Sequence, residues 1–328
     1  MTPSDPTLAQ VAAHAGVSLA TASRALNGSA RTVTPELQAR VLSSAAALGY
    51  RANAQAQAMA RGTSNIVAVV VGDIADPYFS SIAAGIIQGA DERGLVVTLT
   101  ATGADQEREN EALAALRGQR PRAVILAESR TVDPTGEQPI ATVPVGPRVA
   151  FVGSGAPGAR SVDILNRAGA ADLARALVQR GYQDVLVLAG PPTLVTSRDR
   201  TAGFLDVVPG ARAVPGSFSR DGAYETMSRL LADGARPECV FAVTDVMALG
   251  AMAAMRDAGL IPGTDIAVAG FDDIPIARDL TPSLSTVALP LARIGERALE
   301  LALSEAPDAP STEEVAGTVV LRDSTPPR

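Results

Sequence analysis

The sequence predicts an α/β protein with a small all-α module at its N-terminus. Three helices with capping residues can be placed in residues 1–62. From Ile66 onward, short apolar runs of strand length alternate with amphipathic helical stretches, a pattern typical of parallel sheets covered by helices. A length of 328 residues with 47% hydrophobic residues is enough for about two domains with sizeable cores.

Residue counts exclude several classes of site. The chain has one cysteine, Cys239, and one histidine, His14, which excludes an internal disulfide and a cysteine-based zinc site. A catalytic triad would have only His14 as its base, and the complete lack of lysine excludes a phosphate-binding loop of the Walker type. We therefore expect no enzyme activity, no cofactor and no metal.

Targeting signals are not visible in the sequence. The longest apolar run, Ile66–Val71, has six residues, far fewer than the roughly 20 that span a bilayer. The first residues have neither the basic start nor the apolar segment of a signal peptide. We expect a cytoplasmic protein with no membrane partner.

Charge is distributed unevenly along the chain. Residues 1–62 contain five arginines and two acidic residues, whereas the remainder contains 23 arginines and 33 acidic residues. A basic module joined to an acidic body indicates a polyanionic partner for the module alone.

The N-terminal module has the signals of a helix-turn-helix. The first helix is predicted to begin at Thr7, which forms a capping box with Gln10, and to end at Gly16. Ser18 would cap the second helix. Thr34 would cap the third helix, which would end at Gly49. A tight glycine-containing turn separates the first two helices, as in DNA-binding helix-turn-helix motifs. Three helices with no nucleic-acid role would show the same periodicity, so geometry alone leaves both interpretations open.

Residues 7–28, continued by residues 48–53, resemble the headpiece of the LacI/GalR (lactose-repressor) family of regulators. The resemblance continues at lower density to about Val320. It implies a helix-turn-helix headpiece in residues 1–52, a hinge helix in 53–62 and an effector-binding and dimerisation domain in 63–328. That last domain would be periplasmic-binding-protein-like, with subdomains 63–161 plus 290–316 and 162–289 plus 317–328. Three crossovers would join them, near residues 161, 289 and 317.

The second helix would read DNA in the major groove. Leu19 and Ala20 offer only apolar contacts to base edges, whereas Arg24 can donate two hydrogen bonds to a guanine. Phosphate contacts are expected from Ser18, Thr21, Ser23 and Asn27. The competing interpretation of Arg24 is a contact with a phosphate or with solvent alone.

The hinge segment has its own expected contacts. Asn53 can cap a short alanine-rich helix that is too short to be stable alone in water. In the family, this helix orders on DNA and a leucine wedges into the minor groove, where this chain has Met59. A plain linker is the alternative interpretation.

The large region predicts two series of strands and helices. The expected strands are 66–71, 95–100, 123–126, 149–152, 185–188, 239–243, 266–269 and 319–321. The expected helices are 80–93, 106–117, 168–180, 223–232, 246–258 and 291–303. Ligands of such sheets bind beyond the carboxyl ends of the strands.

Candidate effector-binding residues follow those strand ends. They are Asp76, Tyr78, Phe79, Arg200, Phe218, Thr244 and Asp272. The family resemblance implies that all of these except Asp76 line the pocket, and Asp76 follows the first strand. Carboxylates, a guanidinium and aromatic faces suit a polyol or sugar. Arg200 with Asp272 could instead form a structural salt bridge, Tyr78 and Phe79 could belong to the core, and Asp245 is expected to cap a helix.

Some positions depart from the family pattern. Leu165 and Gly153 stand where an acid is common, and Val246 and Leu289 are apolar where some members carry amides. The pocket is therefore expected to be less polar than that of a typical sugar-responsive member. The sequence of residues 128–148, rich in proline and glycine, shows no pattern for the helix usually expected there.

Gly153, Gly155 and Gly158 fit a dinucleotide fingerprint, but Pro157 and Gly158 break the helix that such a site needs. We expect a repressor that binds a pseudo-palindromic operator as a homodimer under control of a small-molecule, sugar-like effector. A solute-binding protein of the same fold remains the alternative.

Overall fold

The computed structural model describes residues 6–27, 33–50, 64–103, 105–127, 148–153, 159–305 and 312–328. Asn53 and Met59, the hinge segment, most of residues 128–148 and residues 154–158 of the dinucleotide-like motif lie outside these ranges. The chain divides into two units, Met1–Asn65 and Ile66–Arg328, each of which is described by itself. No helix in the described ranges is long and apolar enough to cross a membrane.

The first unit contains three helices whose ends are set by their capping residues. They are α1 (Leu8–His14), α2 (Leu19–Asn27) and α3 (Pro35–Leu48). The capping box of Thr7 and Gln10 is confirmed, and the Thr34 hydroxyl accepts a hydrogen bond from the Leu37 amide. Gly16 and Gly49 have φ of 63° and 66°, which confirms the left-handed conformation expected at Gly16 and agrees with the helix end expected at Gly49.

Small side chains let these three helices pack closely. The buried core consists of Val11, Ala12, Ala15, Ala22, Ala25, Val41 and Ala45. Five of these seven residues are alanines, so little side-chain volume separates the helix backbones. The outward face of α2 is thereby fixed relative to α1 and α3.

The first subdomain of the second unit is built on a six-stranded sheet with parallel neighbours in the order β11-β5-β4-β3-β1-β2. Its strands are β1 (Ile66–Val71), β2 (Val96–Ala101), β3 (Ala123–Ala127), β4 (Val149–Val152), β5 (Arg160–Ile164) and β11 (Thr312–Val315). Its helices are α4 (Pro77–Asp91), α5 (Gln106–Gly118) and α10 (Leu291–Leu303). This is the βα alternation that the sequence predicts.

The second subdomain has a four-stranded parallel sheet in the order β7-β6-β8-β9. Its strands are β6 (Val185–Ala189), β7 (Arg212–Pro215), β8 (Cys239–Ala242) and β9 (Ala267–Ala269). Its helices are α6 (Asn166–Gln179), α7 (Val195–Val207), α8 (Arg220–Ala232) and α9 (Asp245–Asp257), with a short 3₁₀ helix at Pro275–Arg278. An antiparallel pair, β10 (Thr286–Ala288) with β12 (Thr318–Val320), lies beside them.

The chain passes between the two subdomains three times. It leaves the first sheet after Ile164, returns between β10 and α10, and crosses again between β11 and β12. The first passage comes a few residues after the crossover expected near residue 161, because β5 continues to Ile164. The α/β class and the two-sheet architecture agree with the sequence prediction.

Several elements were not predicted, for identifiable reasons. Helix α7 was missed because its buried face includes Ser197, Arg200 and Gly203, so no apolar stripe marks it. Edge strand β11 was missed because two of its four residues are glutamates. Helix α4 begins three residues earlier than expected, because the Asp76 carboxylate accepts the Tyr78 amide hydrogen bond and Pro77 occupies the first helical position.

Three helix pairs cross where a glycine lets their backbones meet. A Cβ on Gly85 or Gly295 would overlap a carbonyl oxygen of the partner helix in the α4–α10 pair. Gly203 lies in the same way against the Arg167 carbonyl of α6, and Gly250 against the Arg220 carbonyl of α8. The helix crossings beside both sheets therefore require glycine, which has no side chain, at these positions.

We predict that Gly250→Ala destabilises the second unit by about 1–3 kcal/mol, because the added methyl group forces α8 and α9 apart. Gly118→Ala is the matched control, since a Cβ at the end of α5 meets open space. It should be neutral or stabilising by up to about 1 kcal/mol. Urea denaturation measures both changes, and equal effects of the two substitutions would contradict the close-crossing argument.

Candidate functional site

Helix α2 of the first unit presents a buried face and an exposed face. Ala22 and Ala25 are 0% and 5% exposed. Leu19 is 54% exposed, and Ala20 and Arg24 are also on the outside. The apolar side chains and the guanidinium that the sequence assigns to base contacts therefore share the solvent side of one helix. This is the arrangement that entry into a DNA groove requires.

The remaining predicted DNA contacts have mixed environments. The Ser18 hydroxyl accepts the Thr21 amide hydrogen bond at 3.1 Å and lies 2.8 Å from the Thr21 hydroxyl, which confirms Ser18 as a helix cap. Thr21 and Ser23 are half-buried. Asn27 is the last residue of α2, and its side chain lies outside the described part of the structure.

Arg200 of α7 is the centre of the second candidate site, in the second unit. Its side chain is almost fully buried. Nε donates to Oδ1 of Asn166 at 2.8 Å, Nη1 donates to the Val243 carbonyl at 2.8 Å, and Nη2 lies 2.8 Å from Oδ1 of Asp272. The guanidinium also stacks over the Phe271 ring at 3.8 Å. One side chain thus ties together α6, the end of β8 and the loop after β9.

Asp272 sits in a strained turn that is held from both sides. Asp272 and Asp273 have φ of 119° and 55°, values that cost about 1–3 kcal/mol each outside glycine. The Asp272 amide donates to the Val287 carbonyl at 2.9 Å, and the Asp273 carboxylate pairs with Arg322 at 2.7 Å. Oδ1 of Asp272 forms an ion pair with Nη2 of Arg200 at 2.8 Å. The angle of this contact is poor for a hydrogen bond, and no other described residue donates one to Oδ1.

A second buried carboxylate lies next to this ion pair. Asp245 is fully buried, and it accepts hydrogen bonds from the Thr286 hydroxyl at 2.6 Å and the Ile274 amide at 2.9 Å. The expectation that Asp245 caps α9 is wrong. Thr244 caps that helix by accepting the Met247 amide hydrogen bond, and the Asp245 side chain instead fastens the loop after β9.

Burial dominates the titration of these groups. It raises the pKa of Asp272 to about 7 against the opposing pull of Arg200, and the Asp76 charge raises it further. Burial and the Asp272 charge raise the pKa of Asp245 well above its ordinary value. The pKa of Tyr78 is also raised by burial and then by Asp272. The charges of Arg200 and Asp76 thus act on the pKa of Asp272 in opposite directions.

The aromatic residues at the strand ends lie against glycines. The ring of Phe79 lies over Gly72, and the ring of Phe218 occupies the space where Gly190 would carry a Cβ. Tyr78 and Phe79 meet edge to face, with centroids 5.0 Å apart. Tyr78, Phe79 and Phe218 are half-buried and pack against the core, so the core role considered for the first two applies in part.

Sequence reasoning missed four contributors to the site. They are Asn166, the Val243 carbonyl, Phe271 and Asp245 in its actual role. Only Asn166 had a signal in the sequence, because it follows Leu165, an apolar residue at a position where an acid is common in the family. A cavity of about 440 Å³ opens beside this segment, and none of the seven predicted effector residues lines it. The described residues contain no group of three side chains suited to hold a metal ion.

Two family models match this chain. Residues 7–53 match the bacterial regulatory proteins of the lacI family, and residues 174–325 match a periplasmic binding protein-like domain. The regulator GalS of Salmonella typhimurium is 33% identical over 97% of this chain and 96% of its own length. The ribose operon repressor of Halalkalibacterium halodurans is 30% identical over 97% of both chains.

Solved structures agree with these matches. The lac repressor dimer bound to operator and the anti-inducer ONPF superposes with a TM-score of 0.83 at 27% identity, covering 98% of this chain and 99% of that one. A complex of the transcriptional regulator CelR with cellobiose has a TM-score of 0.67 at 28% identity, covering 97% and 99%.

We predict that Asp272→Asn flattens the fall of stability with pH. Because the folded pKa lies above that of the unfolded chain, the native state holds the extra proton between about pH 4 and 7. The stability that this proton contributes in the wild type is therefore fully present below about pH 4. It is lost as the pH rises from there through 7, by at most about 1.4 kcal/mol per pH unit. Urea denaturation at several pH values tests this, and parallel profiles for the two proteins would contradict it.

Proposed function

The chain belongs to the LacI family of bacterial regulatory proteins, and we propose that it is a transcriptional repressor controlled by a small-molecule effector. It is not an enzyme. It binds operator DNA through the first unit and a sugar-like effector at the strand ends of the second. We place it in the cytoplasm, where its DNA target lies.

One observation carries the DNA-binding half of this proposal. Helix α2 buries Ala22 and Ala25 and exposes Leu19, Ala20 and Arg24. The exposed residues are at the N-terminal end and one turn further on, which is the part of a recognition helix that reaches base edges. Direct reading is assigned to these three residues. Phosphate contacts are assigned to Ser18, Thr21, Ser23 and Asn27, and minor-groove contacts to Asn53 and Met59.

The effector half is supported by the buried pair of Arg200 and Asp272 and the groups around it. The assigned residues supply a guanidinium, carboxylates and the half-buried rings of Tyr78, Phe79 and Phe218, and so offer both hydrogen bonds and flat apolar faces, as sugars require. Relatives named for ribose operons and a regulator whose structure is a complex with cellobiose support the same ligand class. We assign effector binding to Asp76, Tyr78, Phe79, Arg200, Phe218, Thr244 and Asp272.

Control of DNA binding follows from linkage. We propose that two copies pair and place two α2 helices on a pseudo-palindromic operator, as the dimeric form of the lac repressor neighbour suggests. An effector that prefers one arrangement of the two subdomains then shifts operator affinity, typically by about 1–3 kcal/mol. The match of residues 7–53 to a regulator headpiece speaks against a pure solute-binding protein.

We predict that Arg24→Ala relaxes base choice at one position in each half-site, at a cost of about 1–3 kcal/mol. The operator is first found by capturing fragmented genomic DNA on the full-length protein and sequencing what is enriched. Binding to every single-base variant of that operator is then compared between wild type and the substituted protein. Arg40→Ala on α3, which also removes an exposed arginine, is the control and should keep the wild-type base preferences. A uniform loss over all variants for Arg24→Ala would make Arg24 a phosphate contact.

We predict that Phe218→Ala lowers effector affinity at least about tenfold while operator affinity without effector stays as in wild type. Thermal shift against a panel of sugars gives the first measurement, and operator gel shift gives the second. Val178→Ala removes an exposed apolar side chain from the outer face of α6 and serves as the control. Unchanged sugar binding by Phe218→Ala would remove Phe218 from the site.

A further inference from the structure

Resting on the proposed effector site, we propose that Arg322 is a positioning residue for effector binding. Through its ion pair with Asp273, it holds the turn at Asp272 and Asp273 in the conformation that keeps Asp272 against Arg200. Arg322 lies two residues after β12, away from the strand ends at which the effector residues were expected.

The turn is strained at two successive residues. Asp272 has φ of 119° and Asp273 has φ of 55°, whereas residues with a side chain favour negative values. Such a conformation persists only where the surrounding structure imposes it. Asp272 is restrained by its amide bond to the Val287 carbonyl at 2.9 Å and by its contact with Arg200 at 2.8 Å. Asp273 needs a restraint of its own.

Arg322 supplies that restraint. The Asp273 amide donates only a long hydrogen bond, of 3.4 Å, to the Thr286 hydroxyl. Oδ1 of Asp273 is buried and lies 2.7 Å from Nη2 of Arg322, and no described residue gives it a hydrogen bond of good angle. Without Arg322, this buried carboxylate would have no ion-pair partner among the described residues. The turn could relieve that cost only by opening to water.

Arg322 is itself fixed without help from the turn. Its Nη1 donates to the Leu284 carbonyl at 2.7 Å, and its backbone amide donates to the Ser285 hydroxyl at 2.7 Å. Strand β12 pairs with β10, with Val320 opposite Thr286, and so brings Arg322 beside the turn. The guanidinium is therefore a firm support for Asp273 rather than a charge that follows it.

The consequence for the effector concerns Asp272. If Asp273 relaxed to a negative φ, the peptide bond between the two residues would reorient and carry the Asp272 side chain with it. The contact of Asp272 with Arg200 would then be lost, and neither side chain would be held in place for a ligand. Groups that bind a ligand need such support from the residues behind them. Loss of Arg322 is thus expected to weaken effector binding through Asp272.

Hydrogen–deuterium exchange of the full-length protein, followed by mass spectrometry, tests the restraint without a ligand. The amides of Asp272, Asp273 and Ile274 all donate hydrogen bonds in wild type. In Arg322→Gln, we expect peptides spanning 268–276 to exchange at least about tenfold faster, because the turn opens locally. Peptides from α7 and α9 should be unchanged.

Arg180→Gln is the matched control for the exchange experiment. Arg180 fastens the same C-terminal segment by donating to the Thr325 carbonyl, beyond the turn. Its loss should leave exchange at 268–276 within about twofold of wild type. Wild-type protection of the turn in Arg322→Gln, an equal local loss in Arg180→Gln, or faster exchange throughout the second subdomain in Arg322→Gln would overturn the inference.

Asp273→Gly tests whether Arg322 acts through Asp273. Glycine adopts a φ of 55° without strain and has no carboxylate to be paired. In this background, Arg322→Gln should change exchange at 268–276 by no more than about twofold. A further tenfold increase would show that Arg322 acts by another route and would overturn the assignment.

Sugar affinity is the functional measurement, made by calorimetry on the full-length protein with D-ribose and cellobiose as probes. For a probe that binds wild type, Arg322→Gln should raise the Kd at least about tenfold, whereas Arg180→Gln should stay within about twofold. Operator affinity without sugar should be unchanged in both. An unchanged Kd in Arg322→Gln would overturn the positioning role. If neither sugar binds wild type, the sugar-binding half of the proposed function fails, and the exchange result alone decides the role of Arg322.

Discussion

A buried guanidinium is the constraint around which the second subdomain is arranged. Arg200 is 1% exposed, and a charge so fully removed from water must be neutralised and hydrogen-bonded nearly completely. Its partners come from the start of α6, the end of β8 and the loop after β9. These three elements can satisfy it only if they converge at the carboxyl edge of the sheet. Removing one partner of such a pair typically costs about 3–5 kcal/mol, so the same ion pair that shapes the site also makes it rigid.

Glycines are required near this edge of the sheet because side chains of the site lie directly against their backbone. A side chain on Gly270 would collide with the Asp245 carboxylate, and one on Gly190 would collide with the Phe218 ring. The strained turn at Asp272 and Asp273 is likewise maintained by its neighbours, through Val287, Thr286 and Arg322. Close approach, strain and buried charge are thus concentrated where a ligand is expected to bind, as is common in functional sites.

The sequence predicted the architecture more completely than the site. Caps at Thr7 and Thr34, helix-ending glycines at 16 and 49, and the βα alternation are local signals, and the structure agrees with them. Helix α7 could not be found from periodicity, because its inward residue is the charged Arg200. Asp245 was misassigned because a residue beside a helix start looks like a cap. Its real partners, Thr286 and Ile274, are 41 and 29 residues away in the chain.

The most direct test of this account is operator affinity measured with and without a sugar that has been found to bind the protein. Fluorescence anisotropy with a labelled operator gives both dissociation constants on the full-length chain. We predict that they differ by about five- to 150-fold, with the reciprocal change in sugar affinity when operator is present. Identical operator affinities in the presence of a saturating sugar would contradict the coupling between the two units.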